Sequence, residues 1–255
     1  MLIAISPAKT LDYETPPVTR IHTKPKFLKQ SRQLIDNLRD YSALDLAELM
    51  KLSMKLSELN FDRYHDWKTP FNLKNAKQAA LAMKGDVYTG LDAESLDEKG
   101  FEFAQTHLRI LSGLYGVMKP LDLMQPYRLE MGTKLPNEHG KDLYAFWGET
   151  ITQAINKDLK TQGDDILINL ASNEYFKSIK PKLVRGRIIT PQFKEKKNGS
   201  YRMIGIFAKK ARGMMSRFII DNRLSDPQNI KDFDVDGYRY NKQHSKDDQW
   251  VFTRG

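Results

Sequence analysis

The stretch YGVMKPLDLMQPYRLEMGTK, Tyr115 to Lys134, restricts the fold more than any other part of the chain. Its two glycines and two prolines exclude a long helix or an unbroken strand, because proline lacks an amide hydrogen and glycine loses the most backbone freedom on ordering. Its leucines, methionines and tyrosines exclude a polar surface loop. An apolar segment that cannot be regular has to fold against something, and it is expected to form the wall of a site. Gly116, Pro120, Pro126 and Gly132 would set its path, and Leu121, Leu123 and Met124 would anchor it in the core. Arg128 and Glu130 stand two apart: they share a face if the stretch is extended and can pair if it turns. A partly buried guanidinium suits a carboxylate or a phosphate, and an internal ion pair is the competing reading.

The rest of the chain supplies the core. Its 255 residues, 40% of them apolar, suffice for one large domain. LIAIS (Leu2 to Ser6) is predicted as a short buried strand, followed by the loop SPAKT and a proline-rich excursion. Phe27, Leu34, Ile35 and Leu38 recur at helical spacing. SALDLAELMKLSMKLSELNFDRYHDW holds two short helical patterns that break near Leu52 and Ser53. Further helices are predicted through Phe101, Phe103, Ala104 and Leu108, and over LYAFWGETITQAINKDL. DDILINLAS reads as a buried strand ending in a turn. GRIITPQFKEKKNGSYRMIGIF reads as two strands around Asn198 and Gly199, a favoured hairpin pair. AKKARGMMSRFIIDNRL reads as a helix despite Gly213, and WVFTRG as a closing strand. No repeat or linker separates these elements. The expected fold class is therefore α/β: a single mixed domain over residues 1–255 with a central sheet, flanking helices and a helix-hairpin-helix-like element at about 44–60.

Composition removes several chemistries. The absence of cysteine excludes disulfides, thiolate metal sites and thiol catalysis together. His22, His65, His107, His139 and His244 are scattered, and no zinc-helix or di-iron pairing occurs. Glycine-rich nucleotide loops and a serine nucleophile elbow are missing too. No metal and no cofactor are expected. No run approaches the length of a membrane span, and the apolar start MLIAISPAK is too short for a signal sequence, so a cytoplasmic protein without membrane contact is expected. Forty-one Lys and Arg against thirty-two acids give a net charge of +9. That balance suits a polyanionic partner such as nucleic acid, although a basic soluble enzyme would share it.

Candidate site residues lie at the ends of buried elements. Ser6 and Lys9 follow the first strand, where α/β folds commonly place ligand groups; a solvated loop lysine is the competing reading. Asn169, Ser172, Asn173 and Glu174 leave the strand Ile166 to Leu170, where capping is the commoner role. They would meet Lys9 if the two strands are parallel neighbours. Lys209, Lys210 and Arg212 are expected in the first turn of a helix, delivered there by a buried strand. Cations there oppose the helix dipole, so an anion such as phosphate or carboxylate is the functional reading. In the helical pair, Ser53 and Lys55 stand where a phosphate-binding hairpin usually has glycines, and Lys51 and Lys55 can reach phosphates directly.

MLIAISPAKTLDYE, RILSGLYGVMKPLDLMQPYRLEMGTKL, LINLASNEYFKSI and FAKKARGMMSRFI together resemble the bacterial YaaA peroxide stress family over essentially the whole chain. The resemblance implies a role in the hydrogen peroxide response that limits damage by unincorporated intracellular iron. It also implies DNA binding and an unusual α/β fold with a helix-hairpin-helix and a positively charged cleft; the partner expected on this reading is double-stranded DNA, bound without strong sequence preference. Lys9, Arg128, Glu130, Asn173, Lys209, Lys210 and Arg212 would lie in or near that cleft, and Leu46 to Leu59 would form the hairpin with Ser53 and Lys55 at its turn. The chain carries no ferritin-like ligand set, so direct iron storage does not fit its residues. The central segment is also distantly similar to uracil-DNA-glycosylase-like and archaeosine-synthase-like domains. The alternative is thus an enzyme acting on a nucleobase-like or small anionic ligand, with Glu130 as general acid/base.

Overall fold

In the computed structural model, which describes residues 1–255, the segment Leu2–Ile5 (β1) lies in the middle of an eight-stranded sheet. Four consecutive apolar side chains, all buried, mark it as a strand covered on both faces. The other strands are β2 (Leu108–Ser112), β3 (Gly116–Met118), β4 (Ile166–Leu170), β5 (Arg187–Lys197), β6 (Ser200–Arg202), β7 (Arg239–Tyr240) and β8 (Gln249–Arg254). Their order is β7-β8-β5-β4-β1-β2-β3, with β6 paired to β5. β2, β1, β4, β5 and β8 run parallel, and β3, β6 and β7 are antiparallel additions. The expected mixed α/β architecture with a central sheet is what the chain forms.

Apart from a single helical turn at Ala79–Ala82, the α-helices are α1 (Leu28–Arg39), α2 (Ala43–Met50), α3 (Met54–Asp66), α4 (Asp86–Leu91), α5 (Glu98–His107), α6 (Leu143–Trp147), α7 (Thr150–Gln162), α8 (Asn173–Phe176) and α9 (Gly205–Asp221). In α1, Leu34, Ile35 and Leu38 are fully buried, as their spacing requires. The buried apolar side chains form one contiguous cluster running from Met1 to Phe252. No helix is long and apolar enough to cross a membrane.

Several local expectations are corrected. The helix expected through Leu108 ends at His107, and Leu108 opens β2 with no breaker between them. The helical period therefore passes straight into a buried strand, which helical spacing alone did not separate. LYAFWGETITQAINKDL is two helices, because Gly148 sits at φ +48° between α6 and α7. Asn198 and Gly199 do form the hairpin turn, both at positive φ. Its second arm stops at Arg202, however, and α9 starts at Gly205. The buried strand expected to deliver Lys209 is thus a short, mostly exposed edge strand followed by a turn of helix. Lys209, Lys210 and Arg212 lie beyond the first turn of α9, so the free amides of its N-terminus do not explain them.

The helical pair has the expected break. α2 is closed at its start by a capping box between Ser42 and Asp45, and at its end by Lys51 in the left-handed conformation. Ser53 then caps α3. The turn is Lys51-Leu52-Ser53, with Lys51 in the conformation that a glycine would adopt without strain.

The stretch 115–134 runs along the sheet edge and packs inward. Tyr115, Leu121, Leu123, Met124 and Tyr127 are buried, and the Tyr115 hydroxyl accepts from the Trp67 indole (3.1 Å) and from the Gln125 amide (3.1 Å). Gly116 adopts φ +69° with the Trp147 ring against it, where a Cβ would come within 2.8 Å of the ring. From Tyr127 to Met131 burial alternates residue by residue. The segment is extended, with Leu129 facing the core and Arg128 and Glu130 facing the other way.

Candidate functional site

Parallel pairing of β1 with β4 brings Ile5 opposite Leu170, so the chain leaves both strands at the same edge. That is the condition on which Ser6, Lys9 and the Ser172 segment can meet. The Ser172 amide donates to Ser6 Oγ at 2.8 Å, and the two hydroxyls are 3.3 Å apart. β2 lies on the other side of β1, so the connections diverge at this edge and leave a crevice beyond the carboxyl ends of the strands.

The crevice is a cleft of about 390 Å³. Ser6 and Lys9 form one side, the segment Lys84–Tyr88 another, Ser172, Glu174 and Tyr175 a third, and Lys209 and Arg212 close it. Lys9 Nζ lies 2.8 Å from Glu130 Oε2, and Arg128 Nη2 donates to Glu130 Oε1 at 3.1 Å. Arg128 and Glu130 therefore both share a face and pair, which unites the two alternatives left open by their spacing. Both oxygens of Glu130 are occupied by cations. Lys9 is the movable partner, with 62% of its side chain exposed against 19% for Arg128. Arg128 Nε is buried with no acceptor, so this guanidinium has donor capacity left over.

α8 is docked onto the wall by Glu174. Its Oε1 accepts from the Gly132 amide at 2.9 Å, and its carbonyl accepts from the Tyr144 hydroxyl at 2.9 Å. Ser172 caps α8, as its residue type suggested. Tyr88 donates to the Ser6 carbonyl at 3.1 Å, and burial pushes its phenol, and that of Tyr175, far above the ordinary value. Both phenols stay protonated, and Tyr88 serves as a donor.

Lys209 and Arg212 reach the cleft because α9 crosses α4 with backbone against backbone. A Cβ on Gly213 would lie 1.8 Å from the Val87 carbonyl oxygen, and one on Gly90 would lie 2.1 Å from the Lys210 carbonyl oxygen. Glycine inside the helix, unfavourable for the helix itself, is what permits this approach. Arg212 is half-buried, and desolvation lowers its pKa with no carboxylate to offset it. A guanidinium desolvated without an anionic partner is a ready site for a phosphate or carboxylate.

Lys9, Lys209 and Arg212 thus line one cleft, and Glu130 and Arg128 are joined to it through Lys9. Lys210 is not part of it; its nearest carboxylate is Asp236, at 3.9 Å. Asn173 is exposed and outside the cleft lining, one position from Ser172 and Glu174, which belong to it. Lys51, Ser53 and Lys55 stand on the separate helical hairpin, all exposed. The segment Lys84–Tyr88 had escaped sequence reasoning, because KGDVY carries no motif. Glu174 was visible only as one polar residue among four at a strand exit.

This arrangement lines the cleft with side-chain cations and ties a carboxylate, Glu130, to one of them. The family model described as peroxide stress protein YaaA matches residues 1–244 of the 255. The match takes in the cleft residues, the wall and the helical hairpin alike. The chain belongs to this family of peroxide stress proteins.

Proposed function

We propose that this peroxide stress protein binds duplex DNA through its phosphate backbone and, by occupying those phosphates, limits damage from intracellular free iron. The observation that carries the reading is the hairpin of α2 and α3. Lys51 is exposed at its turn, Lys55 is exposed in the first turn of α3, and the amides there have no carbonyl one turn earlier to bond. A net charge of +9 adds long-range attraction to any polyanion. Binding of this kind releases counterions. Ferrous ions held on the backbone are such counterions; there they reduce peroxide to hydroxide and hydroxyl radical beside the sugar, becoming ferric. Displacing them is a route to protection that requires no iron site in the protein. The test is fluorescence anisotropy with unrelated duplexes across salt concentrations. Affinity should fall steeply with salt, and Lys51→Glu with Lys55→Glu should weaken all sequences alike. Salt-independent binding, or binding unchanged in the double variant, would overturn the reading.

A second reading is favoured by the Lys9–Glu130–Arg128 cluster beside Arg212: an enzyme acting on a nucleobase-like or small anionic ligand. An anionic ligand that draws Lys9 away would free one oxygen of Glu130 for proton transfer, with the cations stabilising negative charge. Nucleoside monophosphates should then raise the melting temperature of the protein but not that of an Arg212→Gln variant. Equal shifts in both proteins would remove this reading.

A further inference from the structure

A second basic surface lies away from the cleft. It is a groove of about 460 Å³ between the start of α1 and the loop after α3, lined by Lys24, Lys29, Arg32, Thr69 and Pro70. Two acid-free runs meet there: no Asp or Glu occurs between Glu14 and Asp36, or between Asp66 and Asp86. Lys24, Lys29 and Arg32 are exposed, as are Lys68 and Lys74 on the facing loop. No carboxylate lies within ion-pair distance of any of them, whereas Arg39, one turn beyond the run, is paired to Asp36. Ordinary solvated helix faces mix both signs of charge. This one carries a single sign on both banks.

The groove is rigidly tied to the hairpin. Arg39 of α1 donates to the Tyr64 carbonyl (2.9 Å) and to the Trp67 carbonyl (2.7 Å), pinning the C-terminal end of α3 beside α1. The hairpin turn is at the other end of the same helix. α3 has 13 residues and spans about 20 Å, and the groove lies just past its C-terminal end, so groove and turn are on the order of 20 Å apart or more. Successive phosphates of one strand advance about 3.4 Å, so this distance corresponds to roughly six base pairs.

We propose that the groove is a second phosphate-binding surface, and that a duplex laid along α3 contacts groove and hairpin turn together. The proposal rests on the DNA-binding reading above and adds its footprint. The decisive variant is Lys24→Gln with Lys29→Gln, two exposed side chains that make no hydrogen bond within the protein. Its charge-matched control is Lys157→Gln with Lys160→Gln on α7, also exposed. Binding would be measured on DNA stem-loops with stems of about 4 and about 14 base pairs, chosen to fall below and above that span. On the long stem the groove variant should bind roughly tenfold more weakly and lose about two units of salt slope, while the control changes little. On the short stem the groove variant should match the wild type. Equal losses in groove variant and control would reduce the effect to net charge and overturn the proposal, as would a groove variant that binds the long stem like wild type. A wild type that binds neither stem would overturn the DNA-binding reading itself, a different and recognisable outcome.

Discussion

At the scale of single residues, two positions are strained or desolvated in ways that stability alone does not explain. Lys51 holds φ +53° at the end of α2, where a side chain costs roughly 1–2 kcal/mol relative to glycine. Part of that gain is offset by the greater freedom of glycine in the unfolded chain. Lys51→Gly should therefore raise unfolding free energy by about 0.5 kcal/mol in urea titrations while weakening DNA binding. A variant that is both more stable and equally tight in binding would leave the lysine without a function. His107 is held by the Met1 carbonyl (2.9 Å) and stacked on Phe103. Burial lowers its pKa below the ordinary 6.5. The unfolded chain therefore binds its proton first as pH falls. Its contribution is complete above pH 6.5 and declines as the pH drops below that value toward the folded pKa. Melting temperatures measured from neutral to mildly acidic pH should fall less steeply for His107→Gln than for wild type.

At the scale of elements, the crossing of α4 and α9 decides whether the cleft exists. Gly213 is a poor helix residue, and alanine there would favour the isolated helix by about 1 kcal/mol. In the folded protein the added methyl would meet the Val87 carbonyl oxygen at 1.8 Å. Separating the helices to relieve that contact removes packing over their whole length, so Gly213→Ala should destabilise by about 2 kcal/mol or more. Because α9 carries Lys209 and Arg212, anion binding should fall with it. Denaturant unfolding tests the first part, and nucleotide-induced thermal shift the second. An unchanged midpoint would mean that the crossing tolerates a larger separation.

At the scale of the whole molecule, the cleft is assembled from five separate segments around Ser6, Lys84, Glu130, Ser172 and Arg212. It gathers more cations than its acids neutralise, and that excess works against folding. Arg212 is the clearest instance, since it is desolvated without a counter-charge. Arg212→Gln should stabilise the protein by about 0.5–1 kcal/mol, in the range usual for relieving a functional compromise. The same variant should lose the anion. A stability gain without loss of binding would place the anion elsewhere.

How much of this was legible depended on the range of the interaction involved. Period and punctuation located β1, α1, the break at Leu52–Ser53, β4, the Asn198–Gly199 turn and β8, because those signals act between neighbours in the chain. The α5–β2 junction was lost because the apolar stripe of α5 runs directly into a buried strand and no turn residue divides them. The start of α9 was misplaced because Ile204, Ile206 and Phe207 look like strand residues, and nothing local shows that Ile206 and Phe207 remain exposed. Sequence by itself determined the α/β class, the basic balance, the family resemblance and the fact that residues 115–134 must fold as an apolar wall. Only the tertiary structure decided that Ser6 meets Ser172, that Glu130 bridges Lys9 and Arg128, and that Arg212 rather than Lys210 enters the cleft. Those outcomes depend on strand order, on parallel register and on a glycine-to-backbone crossing. Each is a contact between segments many residues apart, and no local pattern encodes it.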